Sequence, residues 1–264
     1  MGDRPVIDTT VPHSARVWNY WLGGKDHYPV DREAGEAFLK VFPGMAQGAR
    51  ASRAFLGRTV RYLAGEAGVR QFLDVGTGLP TADNTHEVAQ AVAPESTILY
   101  VDNDPLVLTH ARALMTSSPE GATDYVHADL REPERILDEA RKRLDFGRPI
   151  ALMLMGILGH IPDYDEARRL VRVLVDALPP GSYLAVNDGT NAHSEANKEA
   201  HDQYNDESGG EPYIQRSPEQ IGGFFEGLEL VEPGVVSVTR WRYEETEFGV
   251  PPVVDGYGAV GRKP

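Results

Sequence analysis

A succession of short apolar runs, each closing on a glycine or an acid and most followed by a stretch of helical spacing, constrains this chain more than any other feature. The first run, Phe72-Leu73-Asp74-Val75, ends in Gly76-Thr77-Gly78. The second, Ile98 to Val101, ends at Asp102, and the third, Tyr125 to His127, ends near Asp129. The fourth, Ala151 to Met155, is apolar throughout, as a central parallel strand covered on both faces must be. The fifth, Tyr183 to Val186, ends at Asn187-Asp188. Strands of this length alternating with helices form a parallel sheet, and such sheets bind ligands beyond the carboxyl ends of their strands.

The segments between the runs carry helix signals of their own. Asp104 suits an N-cap and Pro105 the first helical position. Val107, Leu108, Ala111, Leu114 and Met115 then recur at helical spacing. After the fourth run, Ala167, Leu170, Val171, Leu174 and Leu178 mark one face of a helix stopped by Pro179-Pro180-Gly181. Two last runs, around Leu228 to Val238 and Val253 to Val260, are separated by a charged loop with no clear helix, which permits an antiparallel pair closing the sheet. Ahead of the first run the chain reads as helical and looped, with Leu56, Val60 and Leu63 on one face of a segment that starts at Met45. No repeat or low-complexity linker divides it. The expectation is one domain over 1–264, with a helical cover over 1–65 and a sheet-bearing core over 66–264.

Composition removes several classes of function. Hydrophobic residues at 41% and charged residues at 25% exclude disorder and fibrous assembly. Forty acidic against 26 basic side chains give a formal net charge of −14, a field that repels phosphate backbones and anionic membrane surfaces. Nucleic acid and membrane are therefore not expected partners. With no cysteine, disulfides, thiolate catalysis and cysteine-ligated zinc are impossible. The N-terminus has no signal-peptide core, and the longest apolar run, Ile150 to Leu158, is too short to span a bilayer. A cytoplasmic location is expected.

The chemistry gathers at the ends of the first three runs. Glycines at 76 and 78 let the backbone turn sharply and approach a ligand closely. Asp74, two residues before the first of them, suits a cationic amine directly or through water. Asp102 stands where a carboxylate accepts hydrogen bonds from both hydroxyls of a ribose. Asp129 suits an exocyclic adenine amine. Three acids at three consecutive strand ends thus match amino acid, ribose and adenine in turn, with Thr77, Asn103 and Leu130 as their neighbours in the same binding set. A dinucleotide site would want a third glycine where Thr81 stands and free amides for pyrophosphate. Pro80-Thr81 suits a helix start instead.

At Ala15-Arg-Val-Trp-Asn-Tyr-Trp-Leu-Gly-Gly-Lys-Asp-His27, at Phe72 to Thr81 and at Tyr100-Val-Asp-Asn-Asp-Pro105, the chain resembles the S-adenosyl methyltransferase family. Gly159-His-Ile-Pro-Asp163 and Val231-Glu-Pro-Gly-Val235 extend the resemblance over nearly the whole length. It implies an α/β, Rossmann-like class I methyltransferase fold: a mostly parallel seven-stranded sheet with an antiparallel last strand and helices on both faces. It also implies S-adenosylmethionine as cofactor and S-adenosylhomocysteine as product. It brings no substrate. The loop departs from the usual methyltransferase pattern at Pro80, where glycine is common.

The N-terminal motif combines aromatics, a glycine turn and ionisable groups, and it suits a lid over the cofactor. Tyr20 or Trp21 would stack on adenine or meet the sulfonium, with Gly24 and Asp26 in the same set. A structural anchor is the alternative reading. His160, after the fourth run, is the candidate general base, with a structural hydrogen-bonding role as the alternative. His86 and His110 fall inside predicted helices; His193 and His201, two helical turns apart, suit the wall of an entrance. Met155-Gly156 lacks both the turn of DNA amino-methyltransferases and the aspartate of metal-dependent O-methyltransferases, so no metal is expected. The expected reaction is in-line methyl transfer to an oxygen or nitrogen of a small-molecule acceptor. A non-catalytic sensor of the cofactor and an NAD-dependent oxidoreductase are the alternatives.

Overall fold

The computed structural model describes residues 7–114, 116–244 and 249–264. Met115, placed by its spacing in the stripe after Pro105, lies outside them.

Eight strand segments form one sheet: β1 (Gln71–Val75), β2 (Thr97–Asp102), β3 (Ala122–His127), β4 (Ala151–Met155), β5 (Tyr183–Gly189), β6 (Glu229–Leu230), β7 (Val236–Ser237) and β8 (Gly256–Arg262). Their order is β3-β2-β1-β4-β5-β8-β6, with β7 also on β8. The first five are parallel, and β8 runs antiparallel to β5. Both β6 and β7 pair with β8, at Glu229↔Arg262 and Val236↔Gly258, so the two short segments share one position in the sheet. The result is seven positions, with the reversed strand just inside the edge. The order turns back between β1 and β4, and that reversal opens a crevice above the two strand ends.

Side-chain alternation assigns the two faces. Leu73, Leu99, Leu152 and Leu184 meet Ile136 and Leu137 of α6 (Pro133–Ala140) and Leu170 and Leu174 of α7 (Tyr164–Ala177). Phe72, Ile98, Met153 and Ala185 meet Phe55, Val60 and Leu63 of α3 (Met45–Gly65) and Val88 of α4 (Thr85–Val92). Asp74 shares parity with Phe72 and so faces α4. Helix α5 (Pro105–Leu114) follows β2, and Asp104 Oδ1 accepts from the Leu106 amide there. The loop after β1 does not enter a helix at Pro80-Thr81. It continues to Asn84, which with Glu87 forms a reciprocal cap that stops the Thr81 amide on Asn84 Oδ1.

Two N-terminal helices, α1 (Ser14–Trp21) and α2 (Pro29–Val41), lie over the carboxyl ends of the strands and pack on α8 (Glu195–Glu207). The cover is tied down by charge. Arg16 is 3% exposed; its Nε stands 3.3 Å from Asp104 Oδ2 and its Nη1 3.6 Å from Asp31 Oδ2. Asp31 in turn accepts from the His13 and Tyr28 amides, and so joins both helices to the end of β2. Among the described residues no helix is long and apolar enough to cross a membrane.

Candidate active site

One cavity of about 510 Å³ opens above the ends of β1 to β5, beneath α1. Its floor is the loop after β1. Gly76 and Gly78 take positive φ of 75° and 67°, and the Gly76 and Thr77 amides both donate to the Val101 carbonyl. The Gly78 amide donates to Asp102 Oδ2 at 2.8 Å, and the Asp104 amide to Asp102 Oδ1 at 2.9 Å. Three loop amides are thereby committed to β2, which leaves them no role with a pyrophosphate. The same bonds hold the Asp102 carboxylate in one orientation in the cavity wall. Burial raises its pKa, and the two amides oppose that shift.

A Cβ on Gly76 would stand 2.1 Å from Ile157 Cδ1, whereas one on Gly78 would meet nothing within 4 Å. Gly76→Ala is therefore expected to cost more than Gly78→Ala: about 1–2 kcal/mol for the left-handed backbone in both, plus about 1–3 kcal/mol of overpacking at position 76 alone. Thermal melts of the two variants check the difference. Equal melting temperatures would mean that Ile157 moves aside freely.

Asp74 is fully buried at the end of β1. Its Oδ2 accepts from Thr85 Oγ1 at 2.6 Å, and burial pushes its pKa up to about 6. The cation that counters it is Arg53 of α3, a residue the motifs did not single out. Arg53 Nη2 donates to the Ala82 and Asp83 carbonyls, while its Nε is buried with no hydrogen-bond partner. Asp129, after β3, accepts from Asn103 Nδ2 at 2.9 Å and from Arg131, which also reaches the His160 carbonyl and Glu211. Leu130 lies buried beside it in the wall.

The structure thus brings Asp74, Gly76, Thr77, Gly78, Asp102, Asn103, Asp129, Leu130 and His160 to one cavity. Tyr20, Gly24 and Asp26 do not line it. Tyr20 packs on α2, where a Cβ at Gly35 would fall 2.6 Å from its ring. Gly24 and Asp26 shape a turn around Asn19: the Asp26 amide donates to Asn19 Oδ1 at 3.0 Å, and a Cβ on Gly24 would fall 2.4 Å from that side chain. From this motif Trp18, Asn19, Trp21 and Leu22 reach the cavity instead, because helical spacing turns Tyr20 to the other face.

His160 sits in a short 3₁₀ turn after β4, where its Nδ1 is 3.0 Å from the Pro212 carbonyl. A carbonyl only accepts, so Nδ1 carries the proton and Nε2 is left with its lone pair. Burial lowers its pKa, which keeps the ring neutral near pH 7. At the end of β5 stands a second buried acid, with partners the sequence did not reveal. Asp188 is fully buried, with its pKa raised to about 6 by burial; it accepts from the Tyr213 hydroxyl and faces Arg216 at 3.5 Å. His193 precedes α8, whose N-cap is Ser194, so the helical spacing expected between it and His201 does not arise; both nonetheless line the cavity. His86 is buried against Tyr100, and His110 stands 3.9 Å from Asp26. Among the described residues no cluster of three or more His, Cys, Asp or Glu is arranged to hold a metal.

A parallel sheet with its strand-order reversal at β1/β4, one reversed strand, and acids at the ends of β1, β2 and β3 defines a class I methyltransferase. The chain belongs to the S-adenosyl methyltransferase family, whose pattern matches residues 2–264. It is 46% identical to a DUF574 family protein from Streptomyces avermitilis MA-4680, with a TM-score of 0.92 over 98% of this chain and 100% of that one. It is 42% identical to a candidate methyltransferase from Thermobifida fusca YX, with a TM-score of 0.87 over 97% and 96%. A SAM-dependent methyltransferase from Anabaena variabilis ATCC 29413 shares the fold at 13% identity, with a TM-score of 0.52 and both chains covered fully. No curated protein matches the chain. The protein is a methyltransferase, and its cofactor is S-adenosylmethionine, not NAD.

Proposed function

We propose that the protein methylates an oxygen or nitrogen of a small molecule, and that residues 1–264 act as one catalytic unit of cover and core. The observation that carries this reading is the extent of the cavity. Past the loops of β1 to β3 it continues to Asn187, Asn197, His201 and Tyr204, well beyond what a cofactor alone would contact. A pure sensor has no use for that extension of the cavity. Such volumes suit small-molecule sites. The negative overall charge disfavours nucleic acid as the acceptor, and the composition fits a cytoplasmic enzyme.

The residues present fit the cofactor. Asp102 would take the ribose hydroxyls, Asp129 the adenine amine, and Leu130 the adenine ring. Asp74 and Arg53, an anion and a cation at the end of β1, complement the ammonium and carboxylate of the amino-acid moiety. Gly76 and Gly78 let the loop pass close beneath it. When bound, the sulfonium supplies an activated methyl group. The protein's contribution is then alignment, exclusion of water by α1, and a neutral His160 at the mouth of β4 to accept a proton from the acceptor.

Calorimetric titration with S-adenosylhomocysteine tests the assignment. Above pH 6 Asp74 is ionised and holds the ammonium. As pH falls through about 6 the carboxylate takes a proton, and affinity is expected to fall by up to roughly tenfold per pH unit. Asp74→Asn should bind weakly at pH 7 and lose this slope. A wild-type affinity that stays flat from pH 5 to 7.5 would remove Asp74 from the cofactor site.

A further inference from the structure

The far half of the cavity is asymmetric in both shape and charge. One side is apolar and mostly aromatic: Trp18 and Trp21 of α1, Phe38 of α2, Phe42 and Tyr204, with Met45 among them, all line it. The opposite side, at the ends of β5 and β8, is built from hydrogen-bond acceptors. Asn197 is 2% exposed; its Nδ2 donates to the Thr190 carbonyl at 3.2 Å and to Asp255 Oδ2 at 3.3 Å. That leaves Asn197 Oδ1 buried without a donor and Asp255 Oδ1 without one at normal hydrogen-bond geometry, with the His193 backbone N–H the nearest other donor to the Asp255 carboxyl. Both partners of Asn197 Nδ2 are acceptors, so flipping the amide would only worsen its bonding. The Thr190 amide on the Asp255 carbonyl joins this pair to the end of β5. There Asn187, its side-chain oxygen 4.0 Å from where a Cβ on Gly156 would stand, faces the tip of β4.

Cations do not balance this side. Arg53 and Arg131 line the cavity, but the first is bound to the 82–84 loop and the second to Asp129 and Glu211. Asp188 is answered by Arg216 behind it. Among the described residues Asp255 has neither a lysine nor an arginine partner. His193 faces it, with Nε2 of that ring 2.9 Å from the Tyr257 hydroxyl. Buried acceptors left without donors are costly, and an unmatched carboxylate more so. A ligand that brings N–H groups and positive charge relieves both.

We propose that the methyl acceptor is an amine on an apolar, ring-sized body, its nitrogen held by Asp255 and Asn197 and its body lying against Trp18, Trp21 and Phe38. The proposal rests on reading this site as that of a small-molecule methyltransferase. A partial turn of the Asp255 carboxyl about its soft Cβ–Cγ torsion, giving up its long 3.3 Å bond from Asn197 Nδ2, would present an oxygen to the cavity. The bound ammonium gives one proton to the neutral His160, which passes it to water, and becomes the neutral amine. Its lone pair then forms the N–CH3 bond as the methyl C–S bond breaks, with that electron pair remaining on sulfur. The N-methylammonium product carries the positive charge away.

Tryptamine, tryptophol and indole-3-propionate share one ring and differ in head group: ammonium, hydroxyl and carboxylate. Each is titrated into protein saturated with S-adenosylhomocysteine, and parallel incubations with S-adenosylmethionine are scored by mass spectrometry. Tryptamine is expected to bind roughly tenfold or more tightly than tryptophol, with no binding of the propionate. Asp255→Asn is expected to weaken tryptamine by roughly tenfold or more while leaving S-adenosylhomocysteine affinity intact, which also shows the variant to be folded. The proposal is overturned if tryptamine fails to bind, if either other probe binds as well, or if Asp255→Asn has no effect on tryptamine. Tryptamine bound through Asp255 without any methylated product would sink the methyl-transfer reading and leave the amine site standing. Methylation of tryptophol alone, at oxygen, would do the reverse.

Discussion

Replacing Asp102 by alanine is expected to weaken S-adenosylhomocysteine binding on the order of a hundredfold or more, about 2.7 kcal/mol or above. Two effects add. The side chain would accept charge-assisted hydrogen bonds from a ribose, and bonds of that type contribute about 1.5–3 kcal/mol each. It also accepts the Gly78 and Asp104 amides, so its loss frees the loop that forms the cavity floor. Asp102→Asn keeps the shape of the side chain but touches both effects. The amide keeps one acceptor oxygen, but it turns an N–H donor towards one of those backbone N–H groups and carries no charge for the ribose. Affinity in this variant is expected to fall nearly as far. Calorimetry checks both, and an Asp102→Ala affinity within a few-fold of wild type would take the ribose away from this residue.

Arg16→Met is expected to have the largest effect on stability. The guanidinium is almost completely buried between two carboxylates that are themselves buried, Asp31 and Asp104. Methionine fills much of the volume but removes the guanidinium from both acids, leaving Asp104 only the His13 ring at 3.3 Å. Breaking a buried ion pair from one side costs about 3–5 kcal/mol, and for a chain of this size that lowers the melting temperature on the order of 10 °C. The damage should not stay local. Arg16 ties α1 to the residue two places after Asp102, so a loosened cover would also admit water above the ribose position and weaken cofactor binding. A melting temperature within about 2 °C of wild type would show that the three groups are individually well solvated and that the cover is held by its apolar contacts alone.

These two residues mark different degrees of legibility. Asp102's place could be read directly, because a strand end is a local signal: an apolar run stops, an acid follows, and sheet topology puts it at the carboxyl edge, here in the cavity wall. The same logic located Asp74 and Asp129, and Gly76 and Gly78 with their left-handed backbone. Arg16 lay inside a motif already marked as unusual, yet its role was hidden. Its partners are 15 and 88 residues away, and no spacing rule connects them. Tyr20 shows the limit from the other side. An aromatic residue in a conspicuous motif suggested stacking on a ligand, but α1 sets the Tyr20 ring against Gly35 and Glu36 of α2, outside the cavity lining.

The order of runs and helices in the sequence by itself determined a parallel sheet, its reversed final strand, and the row of acids along the carboxyl edge. These depend on periodicity and on residues adjacent in the chain. Only the tertiary structure decided what stands opposite that row. Arg53 comes from a helix preceding the first strand, Tyr213 and Arg216 from a loop after α8, and Asn197 and Asp255 from segments 58 residues apart. Each lies at the site because helices fold back over a sheet edge, and burial then shifts Asp74 and Asp188 towards pH 6. Desolvation belongs to the assembled cavity rather than to any residue alone, and so its far half emerged only when the walls were in place.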